Sequence, residues 1–353
     1  RCADVEALQA PPPLPSDPKT RAEIERLIIE LAEVRAEQRL GRYGVVINKA
    51  RRIVQRANEL AYRPVLAESL YLLGQVEDRS GMARQAEKTL VRAAAAAMES
   101  RNARLVAQTW IHLMGLTSYP LNQPEKAESW EELADAALDS MSPIDAKPLR
   151  AEFSLARCRL QSGMRRWDRA IDFCQSSLSL RTQLYGAGSP EVAAVLHTLG
   201  GVYRRQGNFD QAMRYYQEAL DIERKELGEL HPDIASELRG MGLLLRDQRR
   251  YREADEYLSK ALALVQKSHG SEHVLTSDYH LYLGTNLVFL NRLPEAQRAF
   301  QHAYDIREKV DDSDGWRRAE ARYFLGVALA RQGQLADALR LNMGSAWLFL
   351  IAA

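Results

Sequence analysis

The chain has 353 residues, 46% hydrophobic and 27% charged, with 48 Lys+Arg against 47 Asp+Glu and a formal net charge of +1. These proportions are ordinary for a globular protein, and so even a charge balance gives no reason to invoke nucleic acid or an anionic membrane as partner. Three cysteines, Cys2, Cys158 and Cys174, do not make a disulfide framework.

Residues 1–20 read as an N-terminal segment and proline-rich linker. Pro11, Pro12 and Pro13 favour extended polyproline geometry and cannot continue a helix. Ser16-Asp17-Pro18 reads as the approach to a helix beginning near Lys19, and no signal peptide is visible before it. From 21 to 345 one long period governs the chain. Gly200, Gly242, Gly284 and Gly326 are each 42 residues apart, as are Ala212, Ala254, Ala296 and Ala338, and Ala219, Ala261 and Ala303. The first alanine column extends backwards from Ala212 through Ala170, Ala127 and Ala86 to Val46, with steps of 42, 43, 41 and 40. Small residues at a fixed long period mark a repeated structural unit.

The unit is most readable in 193–232. Leu196, Leu199, Val202 and Tyr203 fall on one side of a helix, Gly207-Asn208 break it, and Phe209, Ala212, Tyr216, Ala219 and Leu220 share one face of a second. Each unit is therefore a helical hairpin, in which small residues let the two helices approach. A turn lies five residues before the alanine column, at Gly41, Gly81, Asn122, Gly207, Arg249, Asn291 and Gly333. In the fourth unit Gly163 lies seven residues before Ala170, so that turn is expected to be two residues longer. Hairpins are expected near 27–66, 67–107, 108–148, 149–192, 193–234, 235–276, 277–318 and 319–350. The fold class is all-α, an α-solenoid of about eight hairpins. Cys158 and Cys174 fall in the two helices of the fourth hairpin and read as buried small hydrophobes, with a redox-sensitive pair as the alternative. The apolar tail 346–353 is shorter than the roughly 20 residues that span a bilayer; it reads as a truncated repeat or as a docking or membrane-surface segment.

The words LHTLGGVYRRQGNFDQAMRYYQEALDIERKELGELHPD, LRGMGLLLRDQRRYREADEYLSKALALVQKSHGSEH and LYLGTNLVFLNRLPEAQRAFQHAYDIREK resemble the tetratricopeptide repeat in the 42-residue form of kinesin light chains and many bacterial proteins. That resemblance covers about nine tenths of the chain. It implies a right-handed superhelix of helix pairs, a concave groove that holds peptides or partner proteins, and no catalytic activity. The opening RCADVEALQAPPPLPSDPKTRAEIERLIIELAEVRAEQRLGRYG resembles the segment that begins the repeat region of bacterial, especially myxobacterial, Hanks-type serine/threonine kinases. This implies a parent with a kinase domain, and usually a membrane span, upstream of Arg1.

Chemistry is sparse. Gly186-Ala187-Gly188 is a repeat link without the lysine a phosphate loop needs. His269 and His273 have HxxxH spacing but flank Gly270, so they read as linker. Asp311, Asp312 and Asp314 lack the full spacing of calcium ligands and read as a solvated loop. No cofactor or metal is implied, and no small-molecule substrate is evident.

The free face of each first helix remains. Its columns are His197, Arg239, Leu281, Tyr323; then Gly201, Leu243, Thr285, Val327; then Arg204, Arg246, Val288, Ala330. The fifth and sixth units are basic there, and the seventh and eighth apolar. The expected groove residues are His197, Arg204, Arg239 and Leu243, followed by Arg246, Leu281, Thr285 and Tyr323. The expected partner is a protein or peptide with acidic and hydrophobic segments. The function so read is a non-catalytic interaction scaffold, the regulatory or substrate-docking part of a serine/threonine kinase. The alternatives are a stand-alone cytoplasmic adaptor and the sensor arm of a transcription regulator. A membrane enters only through an upstream span of a parent kinase.

Overall fold

The computed structural model describes residues 12–39, 43–118, 121, 123–229, 231–309 and 316–342. Sixteen helices run through these residues, and among them there is no strand. Two compact units divide the chain, Arg1–Ala187 and Gly188–Ala353. The first holds α1 (Pro18–Arg39), α2 (Tyr43–Glu59), α3 (Arg63–Arg79), α4 (Ala83–Glu99), α5 (Ala103–Ser118), α6 (Pro124–Asp139), α7 (Pro143–Gly163) and α8 (Trp167–Tyr185). The second holds α9 (Pro190–Gln206), α10 (Phe209–Leu227), α11 (Pro232–Asp247), α12 (Tyr251–His269), α13 (Val274–Phe289), α14 (Leu293–Lys309), α15 (Trp316–Arg331) and α16 (Leu335–Asn342). Within each unit the helices pack as consecutive antiparallel pairs, each pair against the next.

Local signals set the ends. Proline occupies the first turn of α3, α6, α7, α9 and α11, where its missing N–H costs nothing. The side chains of Ser142, Ser189 and Asn208 accept backbone N–H groups of the turns that follow them. His231 and His273 do the same through Nδ1. The HxxxH pair thus serves a helix start: His273 caps α13, and the two rings lie 5.1 Å apart. The turn column adopts the left-handed conformation whatever residue it holds, with φ of 80° at Gly81, 89° at Gly207, 63° at Arg249, 60° at Asn291 and 79° at Gly333. In the fourth hairpin the residue in that conformation is Arg165 (φ 58°), five before Ala170. The turn is therefore of regular length, and Gly163 is the last residue of α7; the expected two-residue extension is corrected. Gly41, Asn122, Asp311, Asp312, Asp314 and the tail 346–353 lie outside the described residues.

The alanine column is the centre of the packing. Val46, Ala86, Ala127, Ala170, Ala212, Ala254 and Ala296 are wholly buried, and Ala338 nearly so. The glycine column explains the close approach. A Cβ on Gly200 would lie 2.8 Å from the Tyr216 ring, one on Gly242 2.8 Å from Cγ of Leu258, and one on Gly284 2.5 Å from the Phe300 ring. Gly74 faces Leu90 at 2.7 Å in the same way. In these four cases the large residue lies sixteen positions after the glycine, so these four hairpins each close on a contact between a bare backbone and a bulky side chain.

Cys158 and Cys174 are both fully buried and are joined as a disulfide, with Cα atoms 5.2 Å apart. Their reading as separate small hydrophobes is corrected: the same burial that suits an apolar thiol brings α7 and α8 within bonding distance. The cross-link closes a short loop, with a sequence separation of 16. By loop entropy it should stabilise the first unit by about 3 kcal/mol, and a reductant should lower the unfolding midpoint of that unit in a denaturant titration.

Substituting Gly284 by Ala should lower the thermal midpoint, with overpacking of about 1–3 kcal/mol outweighing the roughly 1 kcal/mol that alanine gains over glycine within a helix. Gly201 is the control, because a Cβ there meets only Tyr216 Oη at 3.7 Å. Gly201→Ala should leave the midpoint unchanged or raise it, as read by calorimetry.

Candidate binding surface

First helices of neighbouring hairpins touch within each unit, α9 with α11, α11 with α13 and α13 with α15. Residues at equivalent places on them therefore form one wall in the second unit. His197 on α9 is about a quarter exposed, its Nδ1 lies 2.7 Å from Oε1 of the buried Glu237 on α11, and its ring meets Tyr216 edge-on at 5.5 Å. Arg204 is 17% exposed and bonds Asp247 at the end of α11. Arg239 lies over Tyr282 and Tyr279 of α13, 5.3 and 6.0 Å from the ring centroids. Arg246 donates to Thr285 Oγ1 at 3.0 Å, and the Thr285 hydroxyl in turn donates to the Tyr282 carbonyl at 2.8 Å. Burial holds the Arg246 guanidinium below its ordinary range, against the opposing pull of Asp247.

The expected groove residues thus share one wall, but not as a bare basic stripe. His197, Arg204, Arg239 and Arg246 each reach a partner on the next hairpin's first helix or at its end. They tie hairpin to hairpin while leaving part of each side chain at the surface. Leu243 and Leu281 are only 6% exposed. They back the wall instead of facing outward, because the next hairpin covers that side of the helix; their place among the contact residues is corrected. Tyr323 on α15 is half-buried beside Phe324, with ring centroids 5.4 Å apart.

Behind the wall lies a pair of buried carboxyls that the repeat period does not reveal. Glu223 on α10 and Glu237 on α11 are 5% and 1% exposed. Burial pushes the Glu223 carboxyl up to about 8, and the charges of Glu237 and Asp233 push in the same direction. Its proton is held far more tightly in the folded chain than in the unfolded chain, whose reference value is 4.5. Stability from this site is complete below that reference value and is lost as pH rises through 8. Glu223→Gln should flatten the fall in thermal midpoint between about pH 5 and 9; identical profiles for the two proteins would count against the burial argument.

The first unit has a wall of its own. A concavity of about 630 Å³ opens on the first helices α1, α3, α5 and α7. Arg35 and Gln38 line it from α1, Glu68, Tyr71 and Gln75 from α3, Arg104, Leu105 and Gln108 from α5, and Glu152 from α7. Arg35 bonds Glu68, with about two fifths of each side chain exposed. Deeper in, His112 Nε2 lies 2.9 Å from Asp78 Oδ2, and its ring meets Tyr71 edge-on. Desolvation raises the Glu152 carboxyl, while Arg181, Arg104 and His112 oppose the shift. Sequence reasoning passed over this wall, although the column rule reaches it: Tyr71 and Gln75 precede Ala86 by the same fifteen and eleven residues that separate His197 and Gly201 from Ala212. Among the described residues no group of three or more His, Cys, Asp or Glu is placed to hold a metal, and no helix is long and apolar enough to cross a membrane.

Residues 149–225 and 233–309 match the family model of the tetratricopeptide repeat. No curated protein sequence matches the chain. Among solved structures it is similar to a Rap protein complexed with competence and sporulation factor, at 15% identity over 79% of this chain and 75% of that one, with a TM-score of 0.56. It is also similar to a signal transduction ATPase with a tetratricopeptide repeat sensor from Pyrococcus horikoshii, at 17% identity over 89% of this chain and 47% of that one, with a TM-score of 0.54. A protein of Podosopora anserina described as a kinesin light chain with TPR-like repeats has 19% identity over 56% of this chain and 92% of that one, with a TM-score of 0.47. At such identities the likeness speaks for the fold alone.

Proposed function

We propose that this chain, with its tetratricopeptide repeats at 149–225 and 233–309, is a non-catalytic scaffold that holds protein or peptide segments against the first helices of its hairpins. The observation that carries the reading is the alignment of polar and charged side chains along those helices. In the second unit Arg204, Arg239 and Arg246 share one wall with Tyr323 further along it. Guanidiniums favour forked hydrogen bonds to carboxylates. An acidic segment with an apolar end fits that wall by exchanging partners with Asp247 and Thr285. A part-exposed ion pair contributes only about 0–1 kcal/mol, so such an exchange costs little. The resemblance of residues 1–44 to the segment opening the repeat region of Hanks-type kinases supports placing the scaffold as the regulatory or substrate-docking part of a serine/threonine kinase.

Gln in place of Arg204, Arg239 and Arg246 together keeps much of the length and hydrogen-bonding capacity while removing the charge. That variant should lose the native partners that wild type captures at low salt, with an unchanged helical circular dichroism spectrum. Equal recovery of the same partners would contradict the placement of the site. A kinase domain encoded upstream of Arg1 is the outcome expected for the parent; an upstream DNA-binding domain would contradict it.

A further inference from the structure

The concavity of the first unit has an order that its neutral total charge conceals. Four successive first helices each present one charged side chain to it, and the signs alternate: Arg35 on α1, Glu68 on α3, Arg104 on α5 and Glu152 on α7. Beside the charge, three of the four helices also present a carboxamide, Gln38, Gln75 and Gln108. Apolar lining is nearly confined to Leu105 and the Tyr71 ring. Such a wall does not suit a hydrophobic anchor or a ligand of a single charge sign. An acidic ligand along its length meets Glu68 and Glu152, and a basic one meets Arg35 and Arg104.

We propose that this wall is a second binding site, for an extended peptide segment whose charges alternate in sign along its length. The inference rests on the scaffold reading and adds the chemistry of the ligand at a separate place. The amides suit a backbone: a carboxamide carries both donor and acceptor, and so does every peptide unit of an extended chain. The charges set the register. First helices in contact lie about 8–10 Å apart, and a segment in polyproline II geometry rises about 3.1 Å per residue with three residues per turn, so one hairpin step corresponds to three ligand residues whose side chains return to the same face. The matching ligand places an acidic residue opposite Arg35, a basic one three residues on opposite Glu68, then acidic at Arg104 and basic at Glu152. The existing Arg35–Glu68 pair does not block this, because a pair with that exposure is weak and both members gain a ligand charge in its place. At 630 Å³ the space lies in the range of ligand sites of about 300–1,000 Å³.

The test uses the whole chain and fluorescent peptides built on a serine background. One peptide alternates Asp and Lys at every third residue. A second has the same composition with all Asp at one end and all Lys at the other, and a third and fourth carry only Asp or only Lys. The alternating peptide should bind at least about tenfold more tightly than the other three. Arg104→Glu should abolish that preference, and Gln75→Ala with Gln108→Ala should weaken binding, both with an unchanged thermal midpoint because these side chains lie outside the core. Equal affinity for the alternating and block peptides, no binding of any peptide, or indifference to Arg104→Glu would overturn the proposal. If the scaffold reading also fails, native partners will be captured equally by wild type and by the second-unit glutamine variant; if only this inference fails, that capture will still depend on the second-unit arginines.

Discussion

Everything else in this fold depends on how closely two helices of a hairpin approach. Single helices of this length are marginal in water and take their stability from packing. Here the packing turns on a position with no side chain, opposite a bulky residue sixteen places later: Gly74 under Leu90, Gly200 under Tyr216, Gly242 under Leu258 and Gly284 under Phe300. The buried alanines of the second helix complete the contact. With the hairpin angle set in this way, each pair presents the same face to the next pair, and the first helices line up. The two polar walls follow from that alignment.

Once aligned, the first helices exchange polar partners. His197 meets Glu237, Arg204 meets Asp247 and Arg246 meets Thr285, each on the following hairpin. These contacts oppose slippage between hairpins, since a one-turn shift would separate every pair at once. They also leave the second wall charged without leaving its charges idle, so a ligand there must compete with internal partners. The first wall is arranged differently, with alternating signs and interleaved carboxamides. The two units therefore share a scaffold while differing in the chemistry they present.

Much of the architecture was legible because small residues have no substitute at a close approach, and a fixed period makes them visible. The succession of hairpins and the all-helical class could be read in this way, whereas His273 was read only as part of a linker and its cap on α13 came from the structure. The fourth turn was misread because nearby Gly163 was taken as its marker, whereas Arg165, five residues before Ala170, adopts the left-handed conformation as Arg249 and Asn291 do in the same column. The cystine was undervalued because burial alone accounts for two small apolar thiols, even though the hairpin already placed them on facing helices. The partners of the wall arginines were invisible for another reason: Arg204 and Asp247 are 43 residues apart, and only the stacking of one hairpin on the next makes them neighbours. The carboxyl pair Glu223 and Glu237 breaks the pattern of a buried apolar seam, and no periodicity announces it.

A double-mutant cycle at Gly242 and Leu258 tests the central contact most directly. Gly242→Ala alone should destabilise the second unit, because its methyl group meets Leu258 Cγ at 2.8 Å. In a Leu258→Ala background the same change should be neutral or stabilising, giving a coupling energy of about 1–3 kcal/mol. Strict additivity of the two substitutions would contradict the account, because it would mean that the glycine column is not where the helices of a hairpin meet.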